Sequence, residues 1–220
     1  MIKVDLHVHS CFSDGSETPE FLVEYSRKVG LDLIAITDHD TSEGAVRVRG
    51  KALLGQEVTT EHGHVVIICN FPPDPPRRLY DLLDYADQNS CVLFPSHPFD
   101  VTRAGIGKVI FQIIDRIKFV EIYNSKAPPS SNGKAKNLAV SKGLIGLANS
   151  DAHVKEALGS AYNLVDSEAR PEDVLEALLK GKVEPVPVGL SAKAKLSIVK
   201  WYFVRKLRLA ENPCRALREM

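Results

Sequence analysis

Residues 31–40 read Leu31-Asp32-Leu33-Ile34-Ala35-Ile36-Thr37-Asp38-His39-Asp40. From Leu31 to Thr37 the run is nearly all apolar. That is the pattern of a parallel strand buried on both faces, covered by helices. It ends in three titratable residues, and parallel α/β folds place their functional groups at this carboxyl end of the strands. Asp38 and Asp40 have an ordinary reading as caps of a helix starting near Thr41-Ser42-Glu43. For Asp40 capping and chemistry both stay open; His39 points to chemistry.

Toward the N-terminus, Lys3-Val4-Asp5-Leu6-His7-Val8-His9 alternates with period two. Val4, Leu6 and Val8 face one way, and Asp5, His7 and His9 the other. Two imidazoles at i and i+2 leave one face a few ångström apart and can share an ion, although His-x-His alone also fits an exposed polar edge. Ser10 to Ser16 is a loop carrying Asp14. Thr18-Pro19-Glu20 starts a helix that stops at Gly30.

Toward the C-terminus, a strand at about Lys51 to Val58 ends near the lone acid Glu57, and the next strand opens on His62-Gly63-His64. His64 is a candidate ligand; His62 reads equally as a hairpin turn. Past the polyproline connector Phe71 to Pro76 comes a helix with Leu79, Leu82, Leu83 and Ala86 inside. The next strand delivers Ser96-His97-Pro98. The spacing predicts a helix over about 107–117, a strand over 119–124, a loop over 126–133 and a helix over 134–142. A strand over 144–148 runs into Asn149-Ser150-Asp151-Ala152-His153, again i, i+2 at a strand end. A last internal strand is expected at 163–165, then a helix from Pro171 to Lys180. Strand–helix units recurring about seven times imply a parallel sheet, nearer a closed barrel than a doubly wound sheet. No glycine-rich phosphate loop follows any strand, which argues against a dinucleotide or P-loop site.

Six of the seven histidines fall at these strand ends, with Asp14, Glu57 and Asp151. His, Asp and Glu without Cys suit Zn, Mn or Fe. Nine candidate ligands (His7, His9, Asp14, His39, Glu57, His64, His97, Asp151, His153) exceed what one ion takes. A cluster of two or three ions bridged by Glu57 fits them.

His7-x-His9, Asp14-Gly15-Ser16, Thr37-Asp38-His39-Asp40, Gly55-x-Glu57, Ser96-His97-Pro98 and Ser150-Asp151-Ala152-His153 resemble, in order, the motifs of the polymerase-and-histidinol-phosphatase (PHP) family. The resemblance implies a distorted (β/α)7 TIM-like barrel and a trinuclear centre that hydrolyses phosphoesters. Carried over, one ion would take His7, His9, Glu57 and Asp151; a second Asp14, His39 and His153; a third Glu57 and His97, with His64 completing it. Asn124 departs from the pattern, standing where several relatives carry His or Cys. His97 lies only 40 residues after Glu57 and 54 before Asp151. That leaves no room for the helical insertion of some nucleotide-acting relatives, so an open site is expected.

The resulting expectation is a hydrolase acting on phosphate monoesters through a metal-activated hydroxide. The substrate would be a small phosphorylated metabolite, a nucleoside bisphosphate or the 5′ end of a short oligonucleotide. Asp151, His153, His39 and Asp40 are the catalytic candidates, with Asp38 or Asp40 orienting a ligand. Arg103, Asn124 and Lys126, with Lys134 as a further cation, are the substrate-binding candidates.

Residues 1–190 are expected to form the barrel and 191–220 a basic helical tail. Net charge is zero. Yet from Ala192 onward eight basic residues face Glu211 and Glu219, so the tail carries +6 and the rest −6. Leu196, Val199, Phe203 and Leu207 recur at helical spacing and predict an amphipathic helix packed on the barrel by that stripe. With Trp201 and Tyr202 among cations, the tail also admits a rival reading, a nucleic-acid-associated protein with a non-catalytic metal site; a membrane contact is weaker. An amidohydrolase-like C–N hydrolase is a second rival, although nothing resembling its carboxylated lysine can be read. No apolar run could span a bilayer, and no secretory signal is expected ahead of the first strand. The four cysteines show no paired spacing, so a cytoplasmic protein with reduced thiols is expected.

Overall fold

The computed structural model describes residues 1–218; Glu219 and Met220 of the tail lie outside the described residues. Nine strands and six main helices follow in the order β1 (Ile2–Val8), α1 (Pro19–Lys28), β2 (Leu33–Ile36), α2 (Glu43–Arg47), β3 (Leu53–Thr60), β4 (Gly63–Cys69), α3 (Leu79–Gln88), β5 (Val92–Pro95), β6 (Phe119–Asn124), α4 (Pro129–Lys142), β7 (Ile145–Asn149), β8 (Ala161–Val165), α5 (Pro171–Leu179), β9 (Val183–Pro187) and α6 (Ala192–Lys206). Seven strands form one sheet in the order β5-β4-β3-β2-β1-β8-β9, and β6 pairs with β7 in a second. β6 packs beside β5, and β7 beside β8 and β9. The pair thus faces both ends of the curled seven-stranded sheet.

The expected all-parallel barrel is corrected to a mixed sheet. β1–β2, β2–β3 and β6–β7 are parallel, while β3–β4, β4–β5, β1–β8 and β8–β9 are antiparallel. The reason is local for β3–β4: only Glu61 and His62 separate the strands, too short for a crossover and right for a hairpin. Gly63 supplies the turn with φ +136°. β9 was not expected from the sequence; its Pro185 and Pro187 suit an edge strand.

β1 and β2 lie at the centre and carry the apolar side chains that bury them. Val4, Leu6, Leu33 and Ala35 join Leu53, Phe94 and the inner face of α5 in one core cluster. Val8, Ile34 and Ile36 join Leu22 and Val23 of α1 in another. Thr18 caps α1, its Oγ1 accepting from the Phe21 amide at 3.3 Å. The helix expected over 107–117 is instead two 3₁₀ turns, Gly107–Gln112 and Ile114–Arg116. α4 starts at Pro129, inside the expected loop.

The tail helix forms, but the opposite face packs. Ala194 is buried and Ile198 and Trp201 are half-buried against the β1–α1 cluster. Leu196 is 72% exposed and Phe203 52%, and Val199 and Leu207 are exposed with them. The helix has apolar residues on both sides, so spacing alone selected the wrong one. The cysteines are corrected too: Cys11 bonds Cys214 and Cys69 bonds Cys91. The first pair spans 203 residues, a closure that no spacing rule reveals. Among the described residues no helix is long and apolar enough to cross a membrane.

The loop after β1 is tied tightly. An added Cβ on Gly15 would stand 2.2 Å from the His9 carbonyl oxygen, and that backbone is fixed by its bond to Ala152. Gly15→Ala is expected to destabilise by about 1–3 kcal/mol. That is a Tm loss of roughly 2–12 °C for a chain of this size, readable by calorimetry.

Candidate metal centre

Backbone hydrogen bonds between loops bring the strand ends together. The His9 amide donates to the Ala152 carbonyl and the Ser16 amide to that of His153, both at 2.9 Å. Asp40 N donates to Glu57 O at 3.0 Å, and Glu57 N to Asp38 O at 3.1 Å. Four stretches of sequence thereby converge. Asp40, His97 and Asp151 have φ of +54°, +32° and +52°, left-handed backbone that turns the chain sharply at the strand ends.

At the centre lies the buried Glu57. Its Oε2 stands 3.3 Å from His7 Nε2, 3.2 Å from His9 Nε2 and 3.3 Å from His39 Nδ1. Its Oε1 accepts from Ser96 Oγ at 2.6 Å and stands 3.2 Å from His97 Nε2 and 3.5 Å from His64 Nδ1. Asp151 Oδ1 faces His9 Nε2 at 3.5 Å and His153 Nδ1 at 3.3 Å. Asp14 Oδ1 faces His153 Nε2 at 3.0 Å, and His9 Nδ1 and His39 Nε2 at 3.8 Å.

Among the described residues, three groups of donors each lie within 4.8 Å of one another: His9, Asp14, His39 and His153; His7, His9 and Asp151; His39, Glu57 and His64. Ligands roughly 2.1 Å from one ion stand roughly 3.4 Å apart in a tetrahedron, close to the spacings found. His9 Nδ1, Asp14 Oδ1, Glu57 Oε2 and His64 Nδ1 are buried without a hydrogen-bond partner. Buried polar atoms left so are costly, and divalent ions would engage them. The donor set therefore fits metal.

All nine expected ligands meet here; His97 stands outside the three groups but touches Glu57. His62 is exposed on the hairpin. Asp40 points away from the donors: its Oδ1 accepts from the Thr59 amide at 2.8 Å, and Oδ2 lies 3.6 Å from Arg77. Asp38 ties down the first loop, accepting from Ser10 N at 2.7 Å and from the Ser10 and Ser13 hydroxyls at 2.6 Å. Arg103 and Asn124 both reach Asp151 Oδ2, Asn124 Nδ2 at 2.9 Å. Lys126 Nζ reaches Asp151 Oδ1 at 3.4 Å and His153 Nδ1 at 2.9 Å. Lys134 lies exposed on α4.

Sequence reasoning missed Glu121, whose Oε1 sits 3.1 Å from His7 Nδ1 and whose Oε2 accepts from the His97 amide at 2.7 Å. Like Glu57 it is a lone acid in an apolar strand, and that signal was there to read. It also missed Arg205, which pairs with Asp14 Oδ2, and Trp201, whose Nε1 donates to the Asp14 carbonyl at 2.8 Å. No local pattern announces these.

Burial works against charge throughout, and the partners decide the outcome. His7 is raised well above its ordinary value because Glu57, Asp151 and Glu121 outweigh its burial. His9 is lowered by burial and by His153 and His39. Against their own burial, Glu57 is held low by His7, His64 and His9, and Asp151 by Arg103, Lys126 and His7. Burial lowers Lys126, and Arg103 adds to the effect. Burial pushes Asp5 up to about 7 despite its bonds from Ser150.

A mixed α/β sheet with His, Asp and Glu gathered at its strand ends defines an α/β protein with a candidate metal centre. The chain matches the PHP domain over residues 5–86 and the PHP-associated region over residues 129–183. Over 171 residues it is 30% identical to the uncharacterized protein MJ0417 of Methanocaldococcus jannaschii, covering 73% of this chain and 69% of that one. An error-prone DNA polymerase of Mycobacterium bovis is 53% identical over 78 residues, 33% of this chain and 7% of the polymerase. A two-domain protein of Bacteroides vulgatus containing a predicted PHP-like metal-dependent phosphoesterase superposes with a TM-score of 0.69 at 19% identity, over 85% of this chain and 65% of that one. The chain belongs to the PHP domain family.

An ion taken by His7 would displace the proton there, so affinity is expected to rise with pH. The same proton stabilises the metal-free fold below the ordinary histidine range, and that contribution is lost as pH rises through the raised pKa of His7. Calorimetric titration with Mn²⁺ should show tighter binding at pH 8 than at pH 6.5, with protons released to the buffer. Glu57→Gln should lower bound metal at both pH values; equal metal content by elemental analysis would count against Glu57 as a ligand.

Proposed function

We propose that the protein is a divalent-metal-dependent phosphoesterase that hydrolyses phosphate monoesters. The observation that carries this reading is a cavity of about 530 Å³ walled on one side by Asp14, His39, His64 and His153 and flanked by Arg103 and Lys126. A carboxylate–imidazole cluster beside convergent cations suits an anionic phosphoryl group. Divalent ions held there supply a hydroxide nucleophile near neutral pH and neutralise phosphate charge.

The chain's own residues do the rest. Asp151 is locked by Arg103 and Asn124 on one oxygen and offers the other to the donor cluster. Lys126 stands beside both Asp151 and His153 and meets phosphoryl oxygens entering the cavity. Arg103 closes the same side, its Nη1 bonded to Asn124 Oδ1 at 3.1 Å. His39 is half-buried at the cavity wall, where its two ring nitrogens face Asp14 and Glu57 and it would bridge two of the donor groups. A small phosphorylated metabolite, a nucleoside bisphosphate or a nucleotide chain end all fit this volume. The basic tail gives little support to a nucleic-acid-binding reading, because Trp201 and Arg205 turn inward to Asp14.

The test is phosphate release in Mn²⁺ from AMP, adenosine 3′,5′-bisphosphate, a 5′-phosphorylated short oligoribonucleotide and histidinol phosphate. Selective turnover, lost in Asp151→Ala and reduced about 10²-fold in kcat/KM by Arg103→Ala, supports the reading. No turnover on any of them, from protein shown to hold metal, sinks it.

A further inference from the structure

The site was expected to be open, yet α6 borders it. Residues 192–206 lie outside both stretches that match the family. From this helix Ile198, Trp201, Tyr202 and Arg205 form one wall of the cavity. Its grip falls on one residue. Trp201 Nε1 donates to the Asp14 carbonyl at 2.8 Å, Arg205 Nη1 reaches the same carbonyl at 3.2 Å, and the Arg205 guanidinium also pairs with Asp14 Oδ2.

Asp14 and Asp151 are thus held alike. Each turns Oδ1 to the imidazoles, Asp14 toward His153 at 3.0 Å and Asp151 toward His153 at 3.3 Å. Each gives Oδ2 to an arginine, Arg205 or Arg103. A carboxylate fixed in this way presents one oxygen at a set angle, as outer partners of metal ligands do. The pin for α6 lies just beyond it. Cys214 is buried and bonded to Cys11, three residues before Asp14, and Asn212 Nδ2 donates to the Cys11 carbonyl at 2.9 Å.

We propose that the C-terminal helix is a working part of the metal centre: Arg205 is a positioning residue that holds Asp14 for its ion, and the Cys11–Cys214 bond keeps the helix seated. The proposal rests on the metal-dependent reading but not on any particular substrate. Arg205 acts through Asp14, so its loss weakens the ion and the turnover that depends on it while leaving substrate affinity alone.

The experiment uses the full chain and Mn²⁺ alone as the probe, titrated calorimetrically, with kcat and KM measured on whichever phosphate ester proves active. Arg205→Ala should lower Mn²⁺ affinity about 10-fold and lower kcat with KM changed less than about two-fold; Arg205→Lys should recover most of both. The pair Cys11→Ser/Cys214→Ser should shift Mn²⁺ affinity in the same direction, and the control pair Cys69→Ser/Cys91→Ser should not. Circular dichroism checks that each variant folds; if Arg205→Ala does not, Arg205→Lys and the cysteine pairs carry the decision. Unchanged Mn²⁺ affinity in the folded Arg205 variants overturns the proposal, whatever happens to turnover. A rise in KM alone does the same and makes Arg205 a substrate contact. Equal losses in both cysteine pairs overturn the role of the pin. If no ester is turned over by the wild type, the Mn²⁺ titrations still decide.

Discussion

Glu57 is the constraint on which the rest depends. Its carboxylate is 1% exposed, and a charge removed from water that far is tolerable only if surrounded by compensating groups. Five imidazoles and one hydroxyl supply them, from β1, the ends of β2 and β5, and β4 beside it. The hairpin that makes β3 and β4 antiparallel brings His64 back beside Glu57. The parallel β1–β2–β3 order brings His7, His9 and His39 to the other oxygen. Moving any of these strands by one residue would turn its histidine to the opposite face.

The charges around the centre do not cancel with simple partners. Asp14, Glu57, Glu121 and Asp151 contribute four carboxylates, and Arg103, Lys126 and Arg205 three cations. His7, whose proton affinity is raised by Glu57, Asp151 and Glu121, adds positive charge in the metal-free protein. Divalent ions would displace that proton and add charge, which favours an anionic group entering the cavity. Arg103 and Arg205 each sit on one carboxylate of the cluster, Asp151 and Asp14, and offset part of its negative charge in the metal-free protein. Asp40, His97 and Asp151 adopt left-handed backbone at a cost of order 1–3 kcal/mol each. The bonds that hold them (Thr59 N to Asp40, His97 N to Glu121, Arg103 and Asn124 to Asp151) offset it.

Much of the centre was legible because it is written in short motifs at strand ends, where period-two alternation fixes which side chains share a face. His7 with His9 and Asp151 with His153 were readable in that way, and both pairs meet. The α/β class followed from the apolar run at Leu31–Thr37. What was not legible was long-range. Strand direction in β8 and β9 depends on pairings across the chain. The Cys11–Cys214 bond closes 203 residues. The packing face of α6 could not be chosen because apolar residues occur on two sides of it. Glu121 is the exception among the missed groups: it carries the same signal as Glu57, a lone acid in an apolar strand, and was legible.

The tail shows how little noncovalent contact is needed to bring a remote group into a centre when the chain is tied. α6 buries Ala194 fully and Ile198 and Trp201 in part, a thin apolar attachment for fifteen residues. Arg205 is 45% exposed along its side chain, and an exposed ion pair contributes about 0–1 kcal/mol. Left to these contacts alone, the helix would open often. A covalent bond between Cys214 and the loop that carries Asp14 changes the arithmetic, because reseating becomes local and the closure entropy is spent once, in the unfolded chain. Weak groups can then occupy a fixed place at the cavity wall. The requirement falls on the short segment from Arg208 to Cys214, which must be long enough to reach Cys11 and short enough to hold Arg205 over Asp14.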